Sequence, residues 1–141
     1  MRVKDCTPHA HYQLALEQGE EVIKTLTEFC QSRGIKSGTL VGLGAVRESD
    51  IAYYNLATQE YQSKHIAQDR EVISLIGNIA LVDEAPFVHA HISLGDPDMQ
   101  MLGGHLKECV VAVTLEVHIT VYNEPFKRAY NESIGLNLLD L

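Results

Sequence analysis

The sequence predicts a single α+β domain over residues 1–141, with one main helix near the N-terminus and a largely antiparallel, twisted sheet of about seven strands. Two observations predict this class. Only one segment repeats its apolar residues with helical periodicity, whereas most of the remaining chain consists of short apolar and β-branched runs between turn residues. A chain of 141 residues is also long enough to bury a core of its own.

The helix is predicted over residues 20–32. Its apolar positions recur at i, i+1, i+4, i+7 and i+8 and so form one face: Val22, Ile23, Leu26, Phe29 and Cys30. Glu20 and Glu21 suit the positive end of the helix dipole, and Gly34 is placed where a left-handed residue ends a helix. We therefore expect this face to pack on the sheet, with Cys30 in the core.

The strand pattern covers most of the rest of the chain. Strands are predicted at residues 12–16, 39–46, 51–55, 61–66, 71–82, 88–95 and 110–122. The last of these is an almost continuous run of Val, Thr, Leu and Ile, which is typical of a central strand. The tail, 126–141, is weakly patterned but ends in apolar residues. We expect it to pack against the domain or against a neighbouring subunit.

Charge and cysteine content limit the partners and the compartment. The net charge is −8, from 19 acidic and 11 basic residues, which argues against strong non-specific binding to DNA phosphates or to anionic membranes. No apolar run is long enough to span a bilayer, and the N-terminus lacks the apolar stretch of a signal peptide. Three widely spaced cysteines indicate reduced thiols in the cytoplasm rather than a disulfide framework.

The residues with the clearest chemical signal are three histidines. Residues 88–95 alternate between apolar and polar, so His89 and His91 share one face of a strand, roughly 6–7 Å apart at Cα. A third histidine, His105, follows the turn residues 95–98. Three neutral imidazoles with one open position are the ligand set of a catalytic zinc site. The alternative is that these are strand histidines that are hydrogen-bonded in the core or exposed to water.

Whether His105 joins the pair depends on the register of the predicted hairpin. A loop of residues 95–98 would place His89 opposite Gly104, and His105 would then face away unless Gly103 and Gly104 formed a bulge. A loop one residue longer would place His105 directly opposite His89. Either arrangement could assemble the triad.

Two acidic residues are candidates for a proton shuttle beside such a metal. Glu71 and Glu116 lie in strands that are expected to be largely buried, where a carboxylate could act as a general acid or base. The alternative is that each is a hydrogen-bonded strand carboxylate or an edge residue. A second pair, His9 and His11, repeats the His-x-His spacing, and we interpret it as a polar lead-in near a mobile terminus.

Five segments together resemble the PPC ("plants and prokaryotes conserved") domain, over nearly the whole chain and in order. They are residues 19–26 (GEEVIKTL), 41–46 (VGLGAV), 71–79 (EVISLIGNI), 89–91 (HAH) and 103–106 (GGHL). The resemblance is to the stand-alone prokaryotic type, which is usually labelled a predicted DNA-binding protein. It implies an α+β fold that assembles as a homotrimer.

The fold of this family is also similar to that of acetolactate decarboxylase, whose zinc is held by a His-x-His pair and a later histidine. His89, His91 and His105 match that pattern. The chain lacks the Arg-Gly-Arg-Pro AT-hook with which the plant proteins read the minor groove, so DNA binding is doubtful.

The sequence therefore supports two alternative functions. The first is binding of zinc or another divalent metal by the triad, with a metal-dependent activity on a small molecule. The second is a DNA-binding, regulatory or assembly module in which the metal and the trimer are structural. A fourth protein ligand would indicate a structural site, whereas an open position would indicate a catalytic one.

Overall fold

The computed structural model describes residues 1–141 and contains one helix and eight strands. In chain order these are β1 (Pro8–Glu17), α1 (Val22–Arg33), β2 (Gly38–Asn55), β3 (Glu60–Ile66), β4 (Arg70–Val82), β5 (Ala85–Gly95), β6 (Met101–Tyr122), β7 (Lys127–Asn131) and β8 (Leu136–Asp140). The predicted α+β class is confirmed: one helix packs on a mainly antiparallel sheet in a single domain. No helix in it is both long enough and apolar enough to cross a membrane.

The eight strands form one sheet that folds back on itself. The strand order is β3-β2-β6-β5-β4-β7-β8, β1 pairs with β6, and β2 also pairs with β4. The strands β2, β6, β5 and β4 therefore form a closed circuit of pairings. All strand pairs are antiparallel except β4 with β7, which meet in parallel at Leu81 and Lys127.

Strands β2 and β6 are much longer than the sequence pattern indicates. The predicted strands 39–46 and 51–55 are one continuous strand, β2, and the predicted strand 110–122 is the second half of β6. The register between β2 and β6 shifts at three places, and Glu48 there adopts a φ of 46°. These irregularities bend the two strands without ending them, because a bulge increases the local twist while pairing continues on either side.

The helix begins at Val22, two residues later than predicted, because Glu21 acts as its N-cap. The Glu21 backbone is extended, and its carboxylate accepts hydrogen bonds from the backbone N–H groups of Ile23 and Lys24. The same carboxylate accepts from the backbone N–H of Cys109, at 3.1 Å, and so joins the helix to β6. Gly34 ends the helix in the left-handed region, with a φ of 64°, as predicted.

The core lies between the helix and the inner face of the curved sheet. Val22, Leu26 and Cys30 of the helix are fully buried, together with apolar residues from strands β1 to β6. The prediction that Cys30 belongs to the core is confirmed. Burial raises the pKa of the Cys30 thiol to about 11 and that of Cys109 to about 12, so both remain protonated and unreactive at neutral pH.

The C-terminal tail forms the last hairpin, β7–β8. It extends the sheet beyond β4, and the Arg128 guanidinium donates to the side-chain oxygen of Asn78 on β4 at 2.8 Å. The tail therefore packs against its own domain, which was one of the two alternatives expected from the sequence.

The backbones of β5 and β6 approach each other closely at Gly103, and replacing this glycine tests that approach. A Cβ atom there would overlap the carbonyl oxygen of Ile92, which is backbone and cannot rotate away. We expect Gly103→Ala to lower the free energy of unfolding by about 1–3 kcal/mol, as overpacking does.

Urea unfolding measures this loss, with Gly95→Ala on the same hairpin as the matched control. A Cβ at Gly95 meets the flexible end of the Ile73 side chain, at 3.2 Å, and so should cost much less. Equal unfolding midpoints for the two variants would show that the strands do not approach this closely.

Candidate metal site

The three predicted histidines come together on the β5–β6 hairpin. His89 and His91 lie on β5, and the register of the pair places His91 directly opposite His105 on β6. Both registers considered from the sequence are therefore wrong, since each aligned His89 with residue 104 or 105. The strands pair without a bulge at Gly103 and Gly104, and the alternation of side chains alone turns His105 towards the other two.

The loop has the longer of the two expected lengths, five residues, but it lies further along the chain than residues 95–98. Gly95 pairs with Met101, which leaves residues 96–100 as a five-residue loop. The Asp96 carboxylate accepts from the backbone N–H groups of Asp98 and Gln100, at 3.0 and 2.9 Å. Met99 adopts a left-handed φ of 61°, a position for which methionine gives no sequence signal.

The geometry of the triad suits a single bound ion. One nitrogen from each ring lies within 4.8 Å of the other two. The ring centroids are 5.3 Å apart for His89 and His91, 5.1 Å for His89 and His105, and 5.6 Å for His91 and His105. No carboxylate or thiol belongs to this group, so the triad offers three imidazole ligands to an ion and no fourth side-chain ligand.

An unsatisfied nitrogen at the site is consistent with metal binding. The Nδ1 atom of His105 is buried and has no hydrogen-bond partner. A buried polar atom without a partner costs roughly 1–3 kcal/mol, so a ligand that satisfies this ring would be stabilising. Imidazole nitrogens are donors of the kind that zinc and similar divalent ions bind.

The electrostatic environment keeps the rings in the form that binds metal. Burial lowers the pKa of His89 to about 4, and the nearby Arg128 guanidinium and the other two imidazoles add to this effect. Burial, followed by the charge of His91, also lowers the pKa of His105. Both rings are therefore neutral at pH 7, with a nitrogen lone pair available for an ion.

A cavity of about 240 Å³ lies beside the triad. Strands β3, β5 and β6 and the C-terminal hairpin line it, with the residues Tyr61, Phe87, His89, His105, Arg128, Leu136, Asn137 and Leu138. The Tyr61 ring stacks on His105, with centroids 5.0 Å apart. An Nη2 atom of Arg128 lies 3.1 Å from Nδ1 of His89.

Tyr61 and Arg128 are site residues that no sequence pattern identifies. Tyr61 is 44 residues from His105 and Arg128 is 39 residues from His89, the histidines that they contact, and neither belongs to a recognisable motif. Only the strand order brings β3 and β7 to the two sides of this hairpin.

Glu71 and Glu116 do not reach the triad. Both side chains are exposed rather than buried, which corrects the expectation from their strands. Glu71 is at the start of β4 opposite Gly95, and it lines a separate depression with Arg70 and Asp96. Glu116 is 11 residues along β6 from His105 and lines another depression with His118. The geometry therefore gives neither carboxylate a role as a proton shuttle at the histidines.

The second histidine pair belongs to strand β1 and is not a polar lead-in before the strand. Strand β1 begins at Pro8, four residues before the predicted start, and includes both His9 and His11. His11 is hydrogen-bonded through Nδ1 to the hydroxyl of Thr120, at 3.2 Å, and its ring stacks on His118. Neither His9 nor His11 belongs to a group of three potential metal ligands.

Comparisons with known proteins agree with these features. The profile of the Plants and Prokaryotes Conserved (PCC) domain matches residues 4–123. A crystal structure of a plant- and prokaryote-conserved (PPC) protein from Pyrococcus horikoshii has a TM-score of 0.94 and 32% identity, and the match covers 100% of this chain and 98% of that one.

Two further structures are similar in fold and sequence. A metal-containing protein from Archaeoglobus fulgidus has a TM-score of 0.92 and 33% identity, with 98% of each chain covered. A protein from Bacteroides thetaiotaomicron, provisionally described as DNA-binding, has a TM-score of 0.90 and 31% identity, with 96% of each chain covered. None of the curated proteins compared with the chain matches it.

Proposed function

The chain belongs to the Plants and Prokaryotes Conserved (PCC) domain family, and from this premise we propose that it binds one divalent metal ion, zinc, through His89, His91 and His105. The observation that carries the proposal is the convergence of these three imidazoles, within 4.8 Å of one another, on the β5–β6 hairpin. A similar structure is that of a metal-containing protein, which supports the same conclusion.

The proposed activity is a metal-dependent reaction of a small molecule in the adjoining cavity. When bound, a divalent ion with an open position can polarise a carbonyl group or activate water. The chain itself contributes a cavity of about 240 Å³, in which Phe87 and Leu138 give apolar surface and Tyr61 and Arg128 give polar groups. A volume of this size fits a ligand of only a few heavy atoms, since drug-sized ligands occupy roughly 300–1,000 Å³.

A second candidate function is that of a DNA-associated or regulatory module, in which the metal and the assembly are structural. Its support is a similar structure that is provisionally described as DNA-binding. The net charge of −8 opposes direct contact with a phosphate backbone, because such binding depends on clustered cations. We therefore favour metal binding with small-molecule chemistry. The three free cysteines favour the reducing cytoplasm as its compartment.

We propose further that the protein is a homotrimer that associates through the outer face of the sheet. Five large apolar side chains of β2, β4 and β6 are each more than half exposed: Val41, Leu43, Ile73, Ile76 and Val113. Exposed apolar surface of this kind marks protein–protein contacts. The register places Ile76 between Val41 and His91, so the apolar surface is continuous with the triad. The proposed number of three copies rests on the resemblance to the PPC domain, which implies a homotrimer.

Replacement of a ligand histidine tests the proposed metal site. We expect the wild type to retain about one zinc ion per chain after dialysis against a weak chelator, and His89→Ala or His105→Ala to bind zinc at least ten times more weakly. Loss of a group that merely orients a ligand costs roughly 10–100-fold, and loss of the ligand itself should cost no less. Elemental analysis gives the metal content.

His118→Ala is the matched control, because this histidine also lies on β6 but outside the triad. If His89→Ala retained as much zinc as the wild type, or if only His118→Ala lost zinc, the triad would not be the metal site.

A charge on the apolar face tests the proposed assembly. Ile76→Asp should convert the trimer into monomers, because the carboxylate would be buried without a partner in the contact. Since Ile76 is 59% exposed in the single chain, the fold itself should persist. Light scattering at micromolar protein gives the mass, and Leu56→Asp in the β2–β3 turn should remain trimeric. A monomeric wild type would refute the assembly.

Affinity for DNA distinguishes the two candidate functions: the DNA-binding function predicts tight binding to a duplex, and our proposal predicts weak binding. We expect the protein to bind a labelled duplex no more tightly than roughly 10⁻⁴–10⁻⁶ M, the range of non-specific binding, because its net charge is negative. Fluorescence anisotropy at 50 and 200 mM salt measures the affinity. Nanomolar binding to a defined duplex that persists at the higher salt would favour the DNA-binding function instead.

A further inference from the structure

Arg128 lies directly in front of the triad and is fixed there by three hydrogen bonds. Its Nη2 group donates to Nδ1 of His89 at 3.1 Å and to the side-chain oxygen of Asn78 at 2.8 Å. Its Nη1 group donates to the backbone carbonyl of Asn137 at 2.9 Å. The guanidinium carbon also lies 5.7 Å from the centre of the Phe87 ring, in a cation–π contact.

No negative charge balances this guanidinium. Three of the other arginines each form an ion pair with an aspartate, but Arg128 has no carboxylate oxygen within 4.0 Å. Its Nε atom is buried without a partner, and no acidic residue lines the cavity. Arg128 is half-buried, and a positive charge that is partly removed from water is costly unless it is paired. The cavity is therefore complementary to an anion that the protein does not supply.

The contact between Arg128 and His89 is incompatible with a metal on His89. A guanidinium only donates hydrogen bonds, so Nδ1 of His89 must accept, and the single proton of the neutral ring is then on Nε2. If Nδ1 were to bind the metal, the Arg128 N–H would be displaced. If Nε2 were to bind it, the proton would move to Nδ1, which could no longer accept. In both cases Arg128 loses this hydrogen bond and regains a free donor.

We propose that the cavity binds a small organic carboxylate, whose oxygens pair with Arg128 when His89 becomes a metal ligand. This inference rests on the metal site proposed above. A divalent ion beside Arg128 would add two positive charges to a cavity that contains no acid, which strengthens the demand for an anion. Phe87, Leu136 and Leu138 provide apolar walls for a hydrocarbon group, so an organic carboxylate fits better than an inorganic anion.

Metal and carboxylate binding are coupled in this arrangement. In the absence of carboxylate, Arg128 competes with the metal for His89 and repels it. With a carboxylate present, the N–H group of Arg128 that His89 no longer accepts from has a new partner, and the carboxylate balances the charge of the guanidinium. Each ligand therefore raises the affinity of the other by the same factor, as linkage requires.

The experiment measures zinc affinity by competition with a chromophoric chelator, in buffer without other small anions and at one pH. Isobutyrate should tighten zinc binding to the wild type by at least about fivefold, the lower end of typical coupling between sites. Isobutyramide has the same shape without charge and should have no effect. Sulfate should have a much smaller effect than isobutyrate. Equal effects of isobutyrate and isobutyramide would refute the role of charge, and equal effects of sulfate and isobutyrate would refute an organic carboxylate.

Variants identify the group responsible. In Arg128→Gln, isobutyrate should no longer tighten zinc binding. Zinc affinity without isobutyrate should equal or exceed that of the wild type, because an amide can either donate to Nδ1 or accept from it. Lys107→Gln is the matched control: it removes one positive charge near His105 from outside the cavity, and it should keep the full effect of isobutyrate. The proposal would be overturned if isobutyrate still tightened zinc binding to Arg128→Gln. It would also be overturned if this variant bound zinc more weakly than the wild type without isobutyrate.

The two proposals fail in different ways. A wild type that binds no zinc refutes the metal site, and this inference with it. A wild type that holds zinc in the triad but responds equally to isobutyrate and isobutyramide refutes only the carboxylate site.

Discussion

The pairing of β5 with β6 is the constraint on which the candidate site depends. It aligns His91 with His105, and His89 follows two residues along the same face. A shift of this register by one residue would turn His105 to the opposite face, since side chains alternate along a strand. Asp96 secures the register through its hydrogen bonds to the backbone of the five-residue loop, and Gly103 allows the close approach of the two strands.

The rest of the sheet holds this hairpin in place and surrounds it. β4 pairs with β5 on one side, and the bent strand β2 pairs with both β4 and β6, so the hairpin is part of a closed circuit. The helix joins the circuit through Glu21, whose carboxylate caps the helix and also accepts from Cys109 of β6. Because these pairings depend on one another, the positions of the three histidines are set by the whole core and not by the hairpin alone.

The charge at the site contrasts with the charge of the whole chain. The protein is acidic, with a net charge of −8, yet the cavity beside the triad contains a guanidinium, two imidazoles and no carboxylate. A local field of this sign attracts small anions, whereas the overall charge repels polyanions such as DNA. The distribution of charge therefore favours small-molecule chemistry over nucleic-acid binding, and the exposed apolar side chains of the outer face do not line this cavity.

The sequence by itself determined the helix, its glycine stop, the core position of Cys30 and the α+β class, because these depend on local periodicity and capping. It also identified the three histidines and the turn residues between them, although not the register that joins the strands, since no local pattern marks the left-handed conformation of Met99. Only the tertiary structure decided that Glu71 and Glu116 lie away from the triad, and that Tyr61 and Arg128 lie beside it. These placements depend on strand order and on bulges in long strands, which bring distant residues together through pairings that no local pattern specifies.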